Sequence, residues 1–418
     1  MSERRAAARF IFLTLFLDIL GIGLIVPILP SLVTDFVGGD ASVGAAWYGP
    51  IQALYAAMQF IAAPVLGALS DRYGRRPVLL VALLGYGLDY IILGFAPTLA
   101  WLIAGRVLAG ITGASYTTAA AYLADISTPE TRAKNFGLIG AAFGLGFIAG
   151  PALGALLGSY WDRLPFFVAA GLVLLNLMYG LFVLPESLPP ESRRAFDWRD
   201  INPFRSIARL GRYTGVIGLV VVFVMSGMAQ RGLETLWVLY TEYRYGWEIW
   251  QNGLSLALVG VCAAVVQGGL IRRVVPAMGE KRAILFGLLG AAGAQLAIGF
   301  APTGGWVLLA IPLAALSGFA IPTIQGIIAG RVPDNEQGQV QGAVTSLMAV
   351  VAVLAPLVST RLFTITSGDD GLIELPGSPF FLHAAFFLLS AVLSVYILRN
   401  HVDGARSRPE PSEQPTEA

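Results

Sequence analysis

Asp18, Asp89, Arg106, Arg231 and Glu234 are ionisable side chains set inside long apolar stretches. A charge at the centre of a hydrocarbon-spanning helix costs about 2.5–3.5 kcal/mol on insertion scales. Each must therefore pair, face water, or hold a proton for part of the time. Burial raises the pKa of a carboxyl and a neighbouring guanidinium lowers it. A carboxyl that alternates between such surroundings takes up a proton and gives it back, which suits ion-coupled movement better than bond breaking. Asp18 lies about nine residues into the first apolar stretch, roughly 13 Å along a helix axis. Arg231 and Glu234 stand at i, i+3 on one helix face, and such a pair is expensive in hydrocarbon unless it lines a cavity. Arg106 and Glu234 both fall roughly 9–10 Å below the same surface, opposite charges at one level. The competing reading of each is a structural charge neutralised inside the bundle, and for Asp89 that reading has equal standing.

The elements that carry these charges are twelve apolar stretches close to the length that crosses a bilayer as a helix. They cover 9–31, 46–69, 78–96, 99–122, 134–158, 165–184, 213–240, 250–271, 282–301, 305–328, 338–364 and 378–398, spans 1 to 12 in order. The 418-residue chain is 56% hydrophobic and 13% charged, with a mean hydropathy of +0.71, which removes it from the soluble globular class. Only helices and closed barrels satisfy their backbone in hydrocarbon, and these stretches are too long and too evenly apolar for barrel strands. The expected fold class is an all-α polytopic membrane protein. The first stretch is too long for a signal peptide and ends in no small-residue cleavage site, so it is expected to remain as span 1.

Basic residues set the orientation. Arg4, Arg5, Arg9, Arg72, Arg75, Arg76, Arg132 and Lys134 lie on the N-terminal side, as do six arginines between spans 6 and 7 and eight more basic residues beyond. In all, 22 of the 27 fall there, against only Arg163 and Arg244 in the opposite loops. Both termini and the central loop are expected in the cytoplasm, with the chain in the inner membrane. The net charge of +1 conceals this asymmetry and gives no reason to expect nucleic acid. One cysteine, Cys262, and two histidines, His383 and His401, exclude a disulfide framework and a Cys/His metal cluster. No metal and no cofactor is expected, and Cys262 reads as a small packing residue. Neither G-x-x-x-x-G-K-[ST] nor H-E-x-x-H occurs, so an ion gradient is the remaining source for active transport. The expected partners are a small-molecule substrate, protons and the bilayer, with no obligate protein partner evident.

Residues 1–184 and 213–398 form two sets of six spans, the outline of a duplicated transporter with parallel repeats. Residues 185–212 are a polar, Arg-rich linker whose Phe196, Trp198 and Phe204 suit the membrane surface. Residues 399–418 are a Pro/Glu/Ser-rich tail expected to be disordered. Gln52, Tyr55, Gln59, Gln230, Gln267 and Gln325 are polar residues within spans. They are candidates to touch substrate, or to hydrogen-bond between helices.

Between spans 2 and 3 runs Gly67-Ala-Leu-Ser-Asp71-Arg72-Tyr-Gly74-Arg75-Arg76-Pro77. Its glycines permit a tight turn. Asp71 suits the positive N-terminal end of a helix from the other half, and the Gly-rich start of span 11 (Gly338, Gly342) is the expected partner. Arg75 is expected to pair with Asp125 at the end of span 4. Span 5 carries Gly137, Gly146, Gly150, Pro151 and Gly154, a glycine groove bent by a proline. The pattern G-x-x-x-D-R-x-G-R-R resembles the loop 2–3 signature of the major facilitator superfamily, and the span 5 pattern is similar to its antiporter motif, with Ala155 in place of the final glycine. With LDILGIGLIVPILP (17–30), GRVLAGITGA (105–114) and WVLYTEYRYGW (237–247), the chain resembles the tetracycline/proton antiporters of the drug:proton antiporter branch. The likeness is dense over 14–158, patchier over 230–350 and absent from the tail.

The resemblance implies twelve helices in two pseudo-symmetric six-helix bundles around a central cavity, opened alternately to either side. It implies export of a small amphipathic, tetracycline-like drug in exchange for protons. Asp18 and Asp89 match acids of these antiporters. Asp18 and Glu234 would bind protons, with Arg106 and Arg231 tuning them. Gly67, Asp71, Arg72, Gly74, Arg75, Arg76 and Asp125 would latch the cytoplasmic side of the outward-open state. A histidine of span 8 and an aspartate of span 9 in these antiporters are replaced here by Ala263 and Ala291. The second-half proton machinery must therefore differ or be missing. An importer of the same fold is the first alternative, opposed by the span 5 motif. A non-transporting sensor or scaffold is the second, and such proteins usually append a soluble domain.

Overall fold

The computed structural model describes residues 2–113, 115–193, 214–332, 336–367 and 374–405. Part of the linker, with Phe196, Trp198 and Phe204, and the tail beyond 405 lie outside the described residues. Among the described residues, eleven helices are long and apolar enough to cross a membrane, and a bent pair, Phe10–Ile25 with Leu29–Phe36, makes a twelfth crossing when taken as one span. The 41° bend falls at Pro27, which has no N–H to give the preceding turn, and Pro30 restarts the helix in its first turn. The remaining crossings are Ala41–Tyr73, Arg75–Phe95, Leu99–Ile126, Asn135–Gly158, Leu164–Val183, Val216–Tyr245, Ile249–Met278, Glu280–Phe300, Gly304–Gly330, Val340–Thr366 and Ser378–Arg399, spans 2 to 12.

Several spans differ from their sequence reading. Span 2 starts at Ala41, because the Asp40 carboxylate accepts from the N–H groups of Ser42 (2.7 Å) and Val43 (3.0 Å) and caps the helix there. Those bonds hold the Asp40 carboxyl below the usual carboxylate range. Span 7 does not end at 240 but runs to Tyr245, so Thr241 and Glu242 are helical rather than part of a loop. Span 4 breaks at Gly113, and span 8 contains a π segment, Val266–Leu270, around Gly268 and Gly269. The last helix continues to Ala405, past the expected end at 398, since nothing before Gly404 breaks it.

Glycines set how closely the helices approach. Spans 1 and 5 touch backbone to backbone, where a Cβ on Gly23 would meet Gly150 Cα at 2.8 Å. A Cβ on Gly146 would strike Ile19 at 2.8 Å. Between the halves, Thr364 donates to the Ser42 carbonyl (3.2 Å), Gly49 lies against Thr360, and Gly253 lies against Ala155 and the Pro151 carbonyl. All of these contacts are on the side away from the termini. There one apolar core runs through both halves, from Leu24, Tyr48 and Phe166 to Trp237, Phe363 and Phe380. On the terminal side the core is split. Phe10, Leu79, Tyr122 and Ile139 belong to one cluster, and Phe223, Leu288, Ile324 and Phe387 to another. Gly67, Gly137, Gly268, Gly269 and Gly342 there face open space. The molecule is closed on the far side and parted on the side of its termini.

Candidate functional site

Four spans of the first half converge on a buried polar cluster. Asp89 on span 3 is completely buried and Arg106 on span 4 is 6% exposed. The Arg106 guanidinium donates to Asp89 Oδ2 as a buried ion pair. The adjacent Gly105 lets span 4 come this close: a Cβ there would stand 2.7 Å from Asp89 Oδ1. Span 2 covers the other side of Arg106 with Tyr55, whose ring centroid is 5.5 Å from the guanidinium carbon. Gln59 donates to the Tyr55 hydroxyl (3.3 Å) and to the Gly113 carbonyl (3.2 Å) exposed by the break in span 4, and Gln52 donates to the Tyr48 hydroxyl (3.0 Å). Tyr86 and Tyr90 stack at 6.3 Å on span 3, and the Tyr90 hydroxyl sits against Gly21 of span 1. Asp18, one turn before Gly21, is 5% exposed and within electrostatic reach of both tyrosines.

Two acids and one arginine are thus buried in adjoining spans, with Tyr86 and Tyr90 between Asp18 and the ion pair. One carboxylate is matched by the guanidinium, so the net charge of the cluster changes whenever the other acid gains or loses a proton. Removing one member of a buried pair strands the other. The sequence set Arg106 level with Glu234 and had it tune the proton-binding acids, whereas the structure pairs it with Asp89.

The second half is arranged differently. Arg231 donates to Glu234 (3.0 Å) and Gln230 to the same carboxylate (3.2 Å), with Arg231 55% and Glu234 40% exposed. The opposite face of span 7 is packed, Gly232 against His383 and Ser359, which are hydrogen-bonded at 2.9 Å. The exposed face therefore fronts the parted space. Glu234 is held by its own helix, and no contact joins it to Arg106 among the described residues. Gln267 and Gln325 are exposed, the stem of Gln267 lying against Gly318. Ala291 is buried in the apolar core beside Leu288, and Ala263 is half-buried.

At the terminal end of spans 2 and 3, Gly74 adopts φ +106°, which favours glycine. Arg75 bridges Asp71 (2.5 Å) and Asp125 (3.2 Å) and donates to Ser70 Oγ (2.7 Å). Arg72 lies over the Tyr73 ring, and Arg76 donates to the Leu181 carbonyl. Gly67 faces open space, and Asp71 is on Arg75 rather than at the start of span 11. With the terminal side parted, Gly342 has nothing within 4 Å, and the side of the helix at Gly338 is outside the described residues. In span 5, Gly146, Gly150 and Gly154 pack on span 1, the Pro151 carbonyl meets Gly253, and Gly137 is open.

Sequence reasoning missed Glu186. Its carboxylate accepts from the backbone N–H groups of Arg75 (2.8 Å), Arg76 (3.2 Å), Ser187 (2.9 Å) and Leu188 (3.1 Å). It supplies the cap that span 3 lacks from its own sequence. Ser187 adds a bond to Asp125 (3.0 Å). A span that starts at Gly-Arg with no capping side chain was the available signal, and an acid directly after span 6 could have been matched to it. Ser31 and Glu242, hydrogen-bonded across the far side, were missed because span 7 was ended too early.

Known proteins resemble this chain over most of its length. The profile of the Major Facilitator Superfamily matches residues 11–356 and 277–417. The class C tetracycline resistance protein of Escherichia coli is 41% identical over 371 residues, covering 88% of this chain and 93% of that protein. The class B protein of the same organism is 34% identical over 393 residues, covering 93% and 96%. The crystal structure of the human organic anion transporter MFSD10 superposes with a TM-score of 0.70 at 27% identity, covering 94% of this chain and 99% of that one. A bacterial homolog of the human lysosomal transporter Spinster, inward-facing and unoccupied, shares the fold with a TM-score of 0.77 at 16% identity, covering 98% and 99%.

Proposed function

Because this chain belongs to the major facilitator superfamily, we propose that it exports a tetracycline-like drug in exchange for protons by alternating access. The observation that carries the reading is the 41% identity to a tetracycline resistance protein across 88% of the chain. The buried Asp18 of span 1, with the buried Asp89–Arg106 pair of spans 3 and 4, supports proton coupling, since a buried carboxyl changes the balance of charge when it gains or loses a proton. Residues 1–184 and 213–398 rock against each other about the 185–212 linker, with both termini cytoplasmic in the inner membrane. The described state is the inward-open one, ready to take drug from the cytoplasm.

In this reading Asp18 binds the coupling proton, while Asp89 and Arg106 set the field it experiences. Tyr55, Gln52, Gln59, Gln230, Gln267 and Gln325 offer donors and acceptors to the drug along the cavity, and the exposed Arg231–Glu234 pair meets its polar edge. Asp71 and Arg75 are poised to grip span 11 once the terminal side closes. Expression in an efflux-deficient host should raise the inhibitory concentration of tetracycline or another amphipathic drug several-fold, and Asp18→Asn should remove that protection at equal membrane abundance. A host no less susceptible to any drug of a broad panel would defeat the proposal.

A further inference from the structure

The far-side seam contains an acid that the transport cycle above does not use. Glu242, on the last turns of span 7, is half-buried, and its carboxylate accepts from the Ser31 hydroxyl on the second piece of span 1. This bond joins the two halves. Glu242, Ser31, Asp35, Asp162 and Glu248 line a cleft of about 420 Å³ over the seam, and a neighbouring cleft adds Asp40 and Tyr243. Four elements around Glu242 bring carboxyls: Asp35 from span 1, Asp40 before span 2, Asp162 from the turn after span 5, and Glu248 before span 8. Of the arginines nearby, Arg163 lies over the Phe36 ring, donates to the Leu93 carbonyl and partly offsets Asp35, and Arg244 lies exposed on Glu242's own helix. Span 11 brings Thr364 and the buried Thr360 to the seam and carries Arg361 exposed between them, and Asp369 and Asp370 lie outside the described residues.

Closing the seam withdraws Glu242 from water beside Asp35, a like charge. The ionised acid resists that step on both counts, and the neutral acid does not. Ser31 can donate to either form. We propose that Glu242 is a proton-binding group of the far-side gate, whose protonation from the outer solution permits spans 1 and 7 to close and whose ionisation favours opening. The sign is fixed by this: the closed seam is favoured at low outer pH and lost as pH rises through the carboxyl's titration. In the exchange cycle proposed above, on which this inference rests, a proton taken up outside then precedes the return to the inward-open state.

The test uses Thr360→Cys in a Cys262→Ala background, because Thr360 is 1% exposed and packed on Gly49 within the closed seam. Right-side-out vesicles are treated with an impermeant thiol reagent from about pH 5 to about pH 8. Rates are normalised at each pH to the same thiol in unfolded protein. Labelling should rise with pH, by at most about tenfold per unit for one proton. Glu242→Gln should hold labelling low and flat, and Glu242→Asp should restore the rise. Ser31→Ala, which keeps the acid, should displace the midpoint. A background protein with no rise, a Glu242→Gln protein that follows the background, or a Ser31→Ala midpoint left in place would overturn the proposal. No drug is present, so such a result leaves the export reading intact.

Discussion

A few charged residues inside apolar spans are visible in the sequence by their rarity. Asp18, Asp89, Arg106, Arg231 and Glu234 stood out because an ionisable side chain in an apolar span requires a reason. Their pairing was less legible. The Arg231–Glu234 contact follows from i, i+3 spacing on one helix, whereas Asp89 and Arg106 meet only through the register of two neighbouring spans set by Gly105. That register is a packing outcome that no local pattern encodes. The pair predicts a particular double-mutant result. Asp89→Ala should leave Arg106 buried without its partner and cost about 3–5 kcal/mol, read as a lowered thermal midpoint in detergent. Adding Arg106→Gln should recover part of the loss. Equal, additive losses from the two changes would mean that the ion pair does not couple them.

At the scale of elements, the twelve spans were legible because their length and apolarity are imposed by the bilayer. Their ends were not. The helical extension of span 7 hid Glu242, and the Asp40 cap moved the start of span 2. The cap on span 3 comes from Glu186, 111 residues away from Arg75 along the chain. The glycines of span 5 divide by what they meet in a way that spacing alone does not reveal. Gly150 is in backbone contact with Gly23 in the described state, while Gly137 faces open space on the terminal side. Gly150→Leu should therefore fail to accumulate as folded protein. Gly137→Leu should fold normally but lose most transport, since its side chain would block closure of the terminal side. Folded yield by gel filtration together with drug efflux separates the two, and full efflux from Gly137→Leu would show that this segment never closes.

Over the whole molecule, a core continuous across both halves on one side and divided on the other describes a structure caught at one end of a rocking motion. The two-fold repeat was legible in the sequence, but which side stands open was not, because both end states use the same helices. The open side is expected to be cytoplasmic from the placement of 22 of the 27 basic residues. A cysteine at Ser192, with Cys262→Ala, should resist an impermeant thiol reagent in intact cells and react once the membrane is opened. Reaction in intact cells would reverse the orientation. The central claim is that a proton gradient drives drug outward, and everted membrane vesicles test it most directly. With the lumen acidified, tetracycline should accumulate above its equilibrium level, and a protonophore should release it. Asp18→Asn should abolish this uphill accumulation while leaving downhill exchange. Glu234→Gln should fail as well if the second half also carries a proton. Accumulation that ignores the protonophore, or proceeds at the wild-type rate in both variants, would contradict proton-coupled export.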